Sequence, residues 1–349
     1  MKKGEKVLLV LGALLIAAGV LTGVTLGWDY MPGDSAHNDI DFPASGAESA
    51  GCSFISVQLD RLDVNVYSST EKTVGLSSWG SQTPERVDVT LDGGVLRITE
   101  KKLGFFRRLA ASDDDAIVVR VPENWIGTVD VSTKSGDVYA GNLSSSQLTL
   151  RAASDSGTVS VSELKVAETQ LSTVSGSVFL GACRGGAVTA ETTSGYMTVS
   201  DLKTENATLS SVSGDLSVRN ADLTGTLTLH STSGEINLDD VTAAAIAADT
   251  TSGDLELDEV DTQSLTFSSM SGDISGELLH IAEFAADVST VSGDISGVRN
   301  GSEGTRTLKV ETVSGDIELD DGAKALPCPQ GKARAKAAPA GKSLPALFL

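Results

Sequence analysis

The chain has 349 residues with 36 glycines and eight prolines; no short glycine period occurs, which excludes a collagen-like chain and predicts many tight turns. The net charge is -21, and because residues 1–28 carry +2 and residues 323–349 carry +5, residues 29–322 carry -28. A body this acidic repels phosphate backbones, which excludes nucleic acid as the expected partner.

The N-terminus contains an uncharged apolar segment, 7–28, which is long enough to cross a bilayer as a helix. Lysines precede it and aspartates follow it, which predicts a cytoplasmic N-terminus and an extracytoplasmic body. A cleaved signal peptide is the alternative, although the segment is long for a signal core and no A-x-A site follows directly. We expect residues 1–28 to form a single-pass anchor in the cell membrane, followed by a polar linker at 29–50.

Residues 51–126 alternate polar and apolar residues in short runs that are typical of strands. Asp92, Gly93 and Gly94 separate two such runs within 87–98, which predicts a hairpin. We expect this segment to form irregular first coils that cap the lower end of a repeat array.

A basic and aromatic cluster interrupts this acidic segment. One hypothesis is contact with an anionic surface, either anionic lipid or a cell-wall polymer. The other is a long loop with one phenylalanine packed into the cap. The residues concerned are Lys101, Lys102, Phe105, Phe106, Arg107 and Arg108.

The dominant feature of the sequence is a Ser-Gly dipeptide that recurs about every 20 residues. The residues five before and two after each glycine are apolar in all ten copies, with mostly polar residues between them. This period of two predicts short strands on both sides of a turn, each with one buried face. The ten glycines are Gly136, Gly157, Gly176, Gly195, Gly214, Gly234, Gly253, Gly272, Gly293 and Gly315.

One such unit cannot enclose a core, but stacked units can. The predicted fold is therefore all-β: a single-chain β-solenoid of about ten coils over 127–322, roughly 50 Å long at about 4.8 Å per coil. Residues 323–349 lack periodicity and predict a disordered basic tail. Without an evident cap, the final coil near Ile317 is expected to have an exposed edge. Cys183 falls at an inward position and is predicted to be a small buried hydrophobic residue.

The turn has its own chemistry. Three residues before each glycine the chain has only Thr or Ser, and the residue directly before it is always Ser. Alternation predicts that both hydroxyls face inward and satisfy backbone groups. We expect the glycine itself to adopt a positive φ.

The residue after the glycine is acidic in seven of the ten copies. Stacked carboxylates repel one another, which invites a calcium ladder; the alternative is that each carboxylate accepts N–H bonds within the turn and faces water. The consecutive acids are Asp215, Glu235, Asp254, Asp273, Asp294 and Asp316, and Asp137 is the seventh. No cofactor is predicted.

Two residues before the glycine, a β-branched residue is frequent, and alternation places it outside. It is either a binding stripe or a consequence of strand propensity. These residues are Val174, Thr193, Val212, Thr232, Thr251, Val291 and Val313.

The order of features resembles the bacterial "putative adhesin" family, which includes LiaG-like and LiaX-like envelope proteins. The resemblance rests on the hairpin at 87–98, the strand VVRVP at 118–122 and the repeated T-x-S-G-D turns, and it spans roughly 50–322. It implies a β-helical ectodomain, an adhesion-like role and, in some members, a link to envelope-stress signalling.

Three functions are weighed. The first is a non-enzymatic, adhesin-like binding module on the cell surface, and the second is a sensor of envelope stress that acts through a membrane regulator protein. The third, a polysaccharide-active enzyme, is weakest, because the only histidines are His37, His230 and His280 and the carboxylates recur as turn residues.

Overall fold

The computed structural model describes residues 40–43, 52–79, 86–101 and 116–322 of the protein. The predicted anchor, most of the linker and the tail lie outside these residues. Within the described parts of the chain, no helix is long and apolar enough to cross a membrane.

The described chain is almost entirely β-structure. Seven strands precede the repeats: β1 (Ile40–Pro43), β2 (Phe54–Leu59), β3 (Asp63–Ser69), β4 (Thr73–Trp79), β5 (Val87–Asp92), β6 (Val95–Glu100) and β7 (Ala116–Pro122). Eight strands build the first repeats: β8 (Gly127–Thr133), β9 (Val138–Gly141), β10 (Ser144–Ser154), β11 (Val159–Thr173), β12 (Val178–Thr192), β13 (Met197–Thr204), β14 (Ala207–Ser211) and β15 (Leu216–Ser231).

The remaining repeats follow in the same manner. They comprise β16 (Ile236–Ser252), β17 (Leu255–Ser271), β18 (Ile274–Leu278), a 3₁₀ turn (Ile281–Glu283), β19 (Phe284–Ser292), β20 (Ile295–Ser296), β21 (Arg306–Ser314) and β22 (Ile317–Asp321). Neighbouring coils pair in parallel, which confirms the all-β solenoid of about ten turns.

Each coil contributes three ladder segments to the solenoid. In β15, residues 216–219, 221–223 and 226–231 pair in turn with β16. Along this coil the buried side chains are Leu216, Val218, Ala221, Leu223, Leu227, Leu229 and Ser231. The period-two alternation therefore places the apolar residues in one continuous core, as predicted. Cys183 lies in this core at 2% exposure, and burial raises the pKa of its thiol to about 11.

The backbone turns between the first two segments through a left-handed residue. Seven successive coils have a non-glycine residue there, six positions after the turn glycine, with φ between 48° and 55°. These residues are Asn142, Glu163, Ala182, Asp201, Asn220, Asp240 and Glu259. The left-handed corner is thus not at the Ser-Gly turn, where only Gly293 and Gly315, in the last two copies, have positive φ values of 158° and 157°.

The turn glycines are needed for a different reason from the one predicted. They stack directly on one another, and we call these ten residues the glycine column. A Cβ on any of them would lie 1.7–2.2 Å from a backbone carbonyl oxygen of the adjacent coil, and at Gly195 the oxygen of Gly176 would be 1.7 Å away. Only a residue without a Cβ lets the coils approach to their hydrogen-bonding distance.

The first coil of the described chain is not at the end of the rod. Strand β2 pairs with β6 on one side and with β8 on the other, and β3 lies between β7 and β9. The coil at 54–69 is therefore inserted between the coil of β6 and β7 and the first regular repeat. Antiparallel strands cover the outer side, with β5 on β6 and β4 on β7. The predicted hairpin at 87–98 is present, but as part of this outer layer.

The opposite end repeats this arrangement. Strand β21 lies between β17 and β19, and β22 pairs with both β18 and β20. The last coil, which contains Ile317, is thus inserted one level inside the rod, and Ile317 is fully buried. The expectation of an uncapped final coil there is wrong, because the coil of β19 and β20 covers it. The exposed end is formed by this preceding coil, where Ile295 is 42% exposed.

We predict that Gly195→Ala destabilises the protein by about 3 kcal/mol or more, because the new Cβ meets a backbone oxygen that cannot move away. Gly301→Ala is the matched control, since no neighbouring atom lies within 4 Å of its Cβ, and it should change stability by less than about 0.5 kcal/mol. Denaturant unfolding of both variants measures the difference. Equal losses in the two variants would contradict the role of the glycine column.

Candidate functional site

The Ser-Gly turns form a ridge along the solenoid, with its hydroxyl groups at the inner side. The Thr or Ser three residues before each glycine is buried in nine of the ten copies. Thr192 shows the bonding: its Oγ1 accepts the N–H of Gly195 at 3.1 Å and donates to the carbonyl oxygen of Gly176 at 3.2 Å. This hydroxyl links two successive turns, which confirms its predicted inward position.

The serine directly before each glycine was expected to face inward, and this expectation is wrong. In the coil around Gly234, Ser231 is buried, Thr232 and Ser233 are both exposed, and Gly234 is buried. Alternation breaks at the bend because the glycine occupies the inner position itself. The serines consequently form an exposed column along the ridge.

Five of the seven acidic residues after the glycines accept hydrogen bonds from backbone amides of neighbouring coils. Oδ1 of Asp254 accepts the N–H of Asp273 at 2.8 Å, and Oδ1 of Asp273 accepts the N–H of Asp316 at the same distance. Oδ1 of Asp316 in turn accepts the N–H of Asp294 at 2.8 Å. Similar bonds join Asp215 to Glu235 and Asp137 to Thr158. Each of these five carboxylates thus satisfies an amide at a corner where regular strand pairing stops.

These carboxylates lie close enough to affect one another. Partial burial, followed by the charges of Glu256, Asp215 and Asp254, raises the pKa of Glu235. Among the described residues, no three acidic, histidine or cysteine side chains are grouped so as to hold a metal ion. The amide bonds explain why the acids recur without calcium; calcium binding itself stays a prediction.

Outward from the ridge runs a column of exposed apolar and threonine side chains, which we call the turn stripe. Its valines and methionine are 46–82% exposed. Pairing of β17 with β21 and of β19 with β21 fixes the order of its last members. From the N-terminal side, the stripe comprises Val174, Thr193, Val212, Thr232, Thr251, Met270, Val313 and Val291.

A shallow open groove of about 490 Å³ lies on the ridge where three turns stack. Serines and carboxylates line it, so that its surface is polar. The lining residues are Ser252, Gly253, Asp254, Ser271, Gly272, Asp273, Ser314 and Gly315.

Of the predicted basic and aromatic cluster, only Lys101 is among the described residues. Its side chain is exposed, and its Nζ lies 3.1 Å from Oδ1 of Asp88. Lys102, Phe105, Phe106, Arg107 and Arg108 lie outside the described residues, so surface contact by this cluster stays a prediction.

His230 and His280, two of the histidines considered as possible catalytic residues, lie on the outer surface. Nδ1 of His230 is 2.5 Å from Oδ1 of Asp249 on the next coil, and both side chains are about half exposed. His280 precedes the 3₁₀ turn near the far end of the rod, 4.0 Å from Glu283. The structure places these two pairs on different coils.

The sequence reasoning missed one group. Lys165, Arg184 and Lys203 occupy the same position on three successive coils, eight residues after the turn glycine. These three residues are spaced 19 apart, as are the glycines that precede them. Comparing the repeats up to eight residues after each glycine would therefore have identified the group from the sequence.

Coils stacked in parallel on a shared turn, with exposed columns of like side chains, define a repeat protein of the β-solenoid class. Within this class, the chain belongs to the Toastrack DUF4097 family, whose model matches residues 52–239 and again residues 238–326. The family resemblance seen in the sequence is thereby confirmed.

Three solved structures are similar to this chain, each covering 82% of it. A "putative adhesin" from Bacteroides fragilis has a TM-score of 0.36, 13% identity and 98% of its own chain covered. A "putative cell adhesion protein" from Clostridium sporogenes has a TM-score of 0.25, 8% identity and 100% of its own chain covered. A "putative adhesin" from Parabacteroides distasonis has a TM-score of 0.25, 11% identity and 98% of its own chain covered. No curated protein matches the sequence.

We predict that Asp273→Ala lowers the free energy of unfolding by about 1 kcal/mol, because the N–H of Asp316 loses its acceptor. Asp273→Asn keeps a carbonyl oxygen at this place and should retain most of the stability. Asp258→Ala, on an exposed side chain of the same solenoid, serves as the control for removing one negative charge.

The same variants separate amide bonding from calcium binding when unfolding is followed with and without a chelator. Amide bonding predicts no change of melting temperature on chelation. A chelator-induced drop that disappears in both Asp273 variants would show that the acids hold calcium instead.

Proposed function

We propose that this protein is a non-enzymatic, adhesin-like binding module of the bacterial cell envelope, and that the turn stripe contacts its ligand. The observation that carries the proposal is the stripe itself. Its apolar side chains take no part in the core, and three of them, Met270, Val313 and Val291, stand on adjacent coils. Exposed apolar side chains grouped in this way mark interaction sites in soluble domains. Strand propensity explains β-branched residues there, but not the 63% exposed side chain of Met270.

The shape of the stripe favours an extended ligand. Eight rungs at about 4.8 Å spacing give a length of about 34 Å, while the stripe is only one side chain wide. A long ligand lying along the axis can contact many rungs, and weak contacts then add up. A small molecule would meet only one or two of them.

The neighbouring columns indicate the chemistry of that ligand. Beside the stripe stand exposed serine hydroxyls, and beyond the glycines stand carboxylates that accept hydrogen bonds. Sugar rings present apolar C–H faces and hydroxyl groups together, which matches such a surface. We propose a neutral cell-wall polysaccharide strand as the ligand of the turn stripe.

Placement at the envelope rests on residues 7–28 and on the charges around them. We predict that the full chain, expressed in a bacterium with a C-terminal tag, stays with the membrane fraction after a high-salt wash. Protease added to spheroplasts should remove the tag. A variant lacking 7–28 should leave the membrane fraction; a tag protected from protease in intact spheroplasts would contradict the proposed orientation.

For the turn stripe, the test variant combines Val174→Glu, Val212→Glu and Val313→Glu. We expect binding to purified cell-wall sacculi to weaken at least tenfold, because charge replaces apolar contact on three rungs. Co-sedimentation with sacculi measures the bound fraction.

The matched control combines Ala187→Glu, Thr224→Glu and Ala244→Glu, which are exposed, add the same charge and lie at another corner of the coil. Its binding should stay within twofold of the unchanged protein, and circular dichroism should show both variants folded. Equal weakening in the two variants would mean that net charge, and not the turn stripe, controls binding.

A further inference from the structure

A basic column crosses the otherwise acidic solenoid. Between residues 135 and 298 the chain has 23 acidic and only five basic residues. Three of those five, Lys165, Arg184 and Lys203, pair in register on successive coils. All three side chains are exposed. We call these three residues the basic column.

The column has an electrostatic cost that the fold relieves only at Lys203. Like charges directly opposite on neighbouring strands destabilise a sheet. Lys203 lies 3.9 Å from Asp222 on the next coil, but neither Lys165 nor Arg184 forms an ion pair with a described residue. Arg219, by contrast, lies 3.8 Å from Asp239.

The surroundings of Arg184 leave its guanidinium open. On its own coil the residues two positions away are Ala182 and Gly186, so no side chain longer than a methyl group stands beside it on the same face. Below Lys165, the same position is occupied by Ser144, which pairs with it in register. The column therefore continues from cations to a hydroxyl donor.

A second observation at the same place is a shallow groove that includes Lys165. Hydroxyl and amide groups line most of it, and Ile126, 53% exposed, forms an apolar part of its wall. The lining residues are Asn124, Ile126, Ser144, Ser145, Ser146, Gln147 and Lys165. Hydrogen-bond donors and a cation thus meet on one open surface.

We propose that the basic column, together with Ser144 and the adjoining groove, binds a linear polymer of phosphate diesters. Arg and Lys are the side chains that bind phosphate oxygens most strongly, Arg with paired N–H donors. Three cations in line span about 10 Å at about 4.8 Å per coil, so successive phosphates of one strand can each meet a cation. The attraction is local to the basic column, because the net negative charge of the rest of the solenoid repels a polyanion.

This column lies on a different part of the coil from the turn stripe, eight residues after the glycine and not two before it. Binding of a polyanion there does not require the turn stripe to bind anything. The two proposals can therefore fail separately.

The test uses the purified full chain and synthetic poly(glycerol phosphate) as the probe, with binding measured by interferometry. The variant Lys165→Glu with Arg184→Glu should weaken binding at least tenfold, and binding by the unchanged protein should fall as salt is raised. The control, Arg151→Glu with Lys309→Glu, changes the net charge equally at exposed positions of another strand segment and should stay within twofold.

A variant that binds the polymer more tightly tests whether misfolding explains the loss of binding. Asp222→Lys adds a fourth cation to the column and frees Lys203, so it should strengthen binding severalfold. A damaged fold cannot produce this result.

Two further probes distinguish the source of the phosphate: inorganic phosphate and vesicles of phosphatidylglycerol. The proposal expects neither to compete well with the polymer. It is overturned if the unchanged protein does not bind the polymer, if both charge-reversal variants lose binding equally, or if only the vesicles respond to the basic column.

Discussion

The close approach of backbones at the glycine column governs how the coils of the solenoid stack. Parallel coils must lie at hydrogen-bonding distance all the way round, including at the turn. At that turn a carbonyl oxygen of one coil occupies the space where a Cβ of the next would lie. The buried hydroxyl and the acid on either side of the glycine then satisfy the amides that the bend leaves without strand partners.

The same constraint produces the surface of the protein. Because every coil repeats the turn in register, each outward position becomes a straight column with one side chain per coil. The residue type at one position of the repeat therefore sets the chemistry of a whole column on the surface. The acid column is satisfied internally by amides, whereas the turn stripe and the basic column present groups that the described fold leaves available to a ligand.

The two ends show how the coils nearest the chain termini are protected in this repeat protein. At both ends of the described rod, the coil nearest the chain terminus is inserted one level inside. Such a coil pairs on both sides, so it cannot peel away from the rod without breaking two sets of strand pairs. The outermost coils are instead tethered at both of their ends, which opposes fraying.

The amino-acid sequence is sufficient to predict the coil, because an inward side chain must be apolar and the spacing of the Ser-Gly pairs gives the length of one turn. It also indicated the buried hydroxyls, the inward Cys183 and the outward column that includes Val174 and Val212. Alternation failed at the serine before each glycine, since a bend breaks the period of two. The prediction of a positive φ at the turn glycine rested on the conformational freedom of this residue. Steric contact with the next coil is instead what requires a glycine there.

The order in which the coils stack is seen only in the folded protein. The repeats at 274, 295 and 317 each carry an isoleucine two residues after the turn glycine, so this pattern does not distinguish the order of stacking from the order along the chain. The strand pairing places the last coil between its two predecessors. Stacking also decided that Lys165, Arg184 and Lys203 stand in one line, because residues far apart in sequence become neighbours only when their coils are in register.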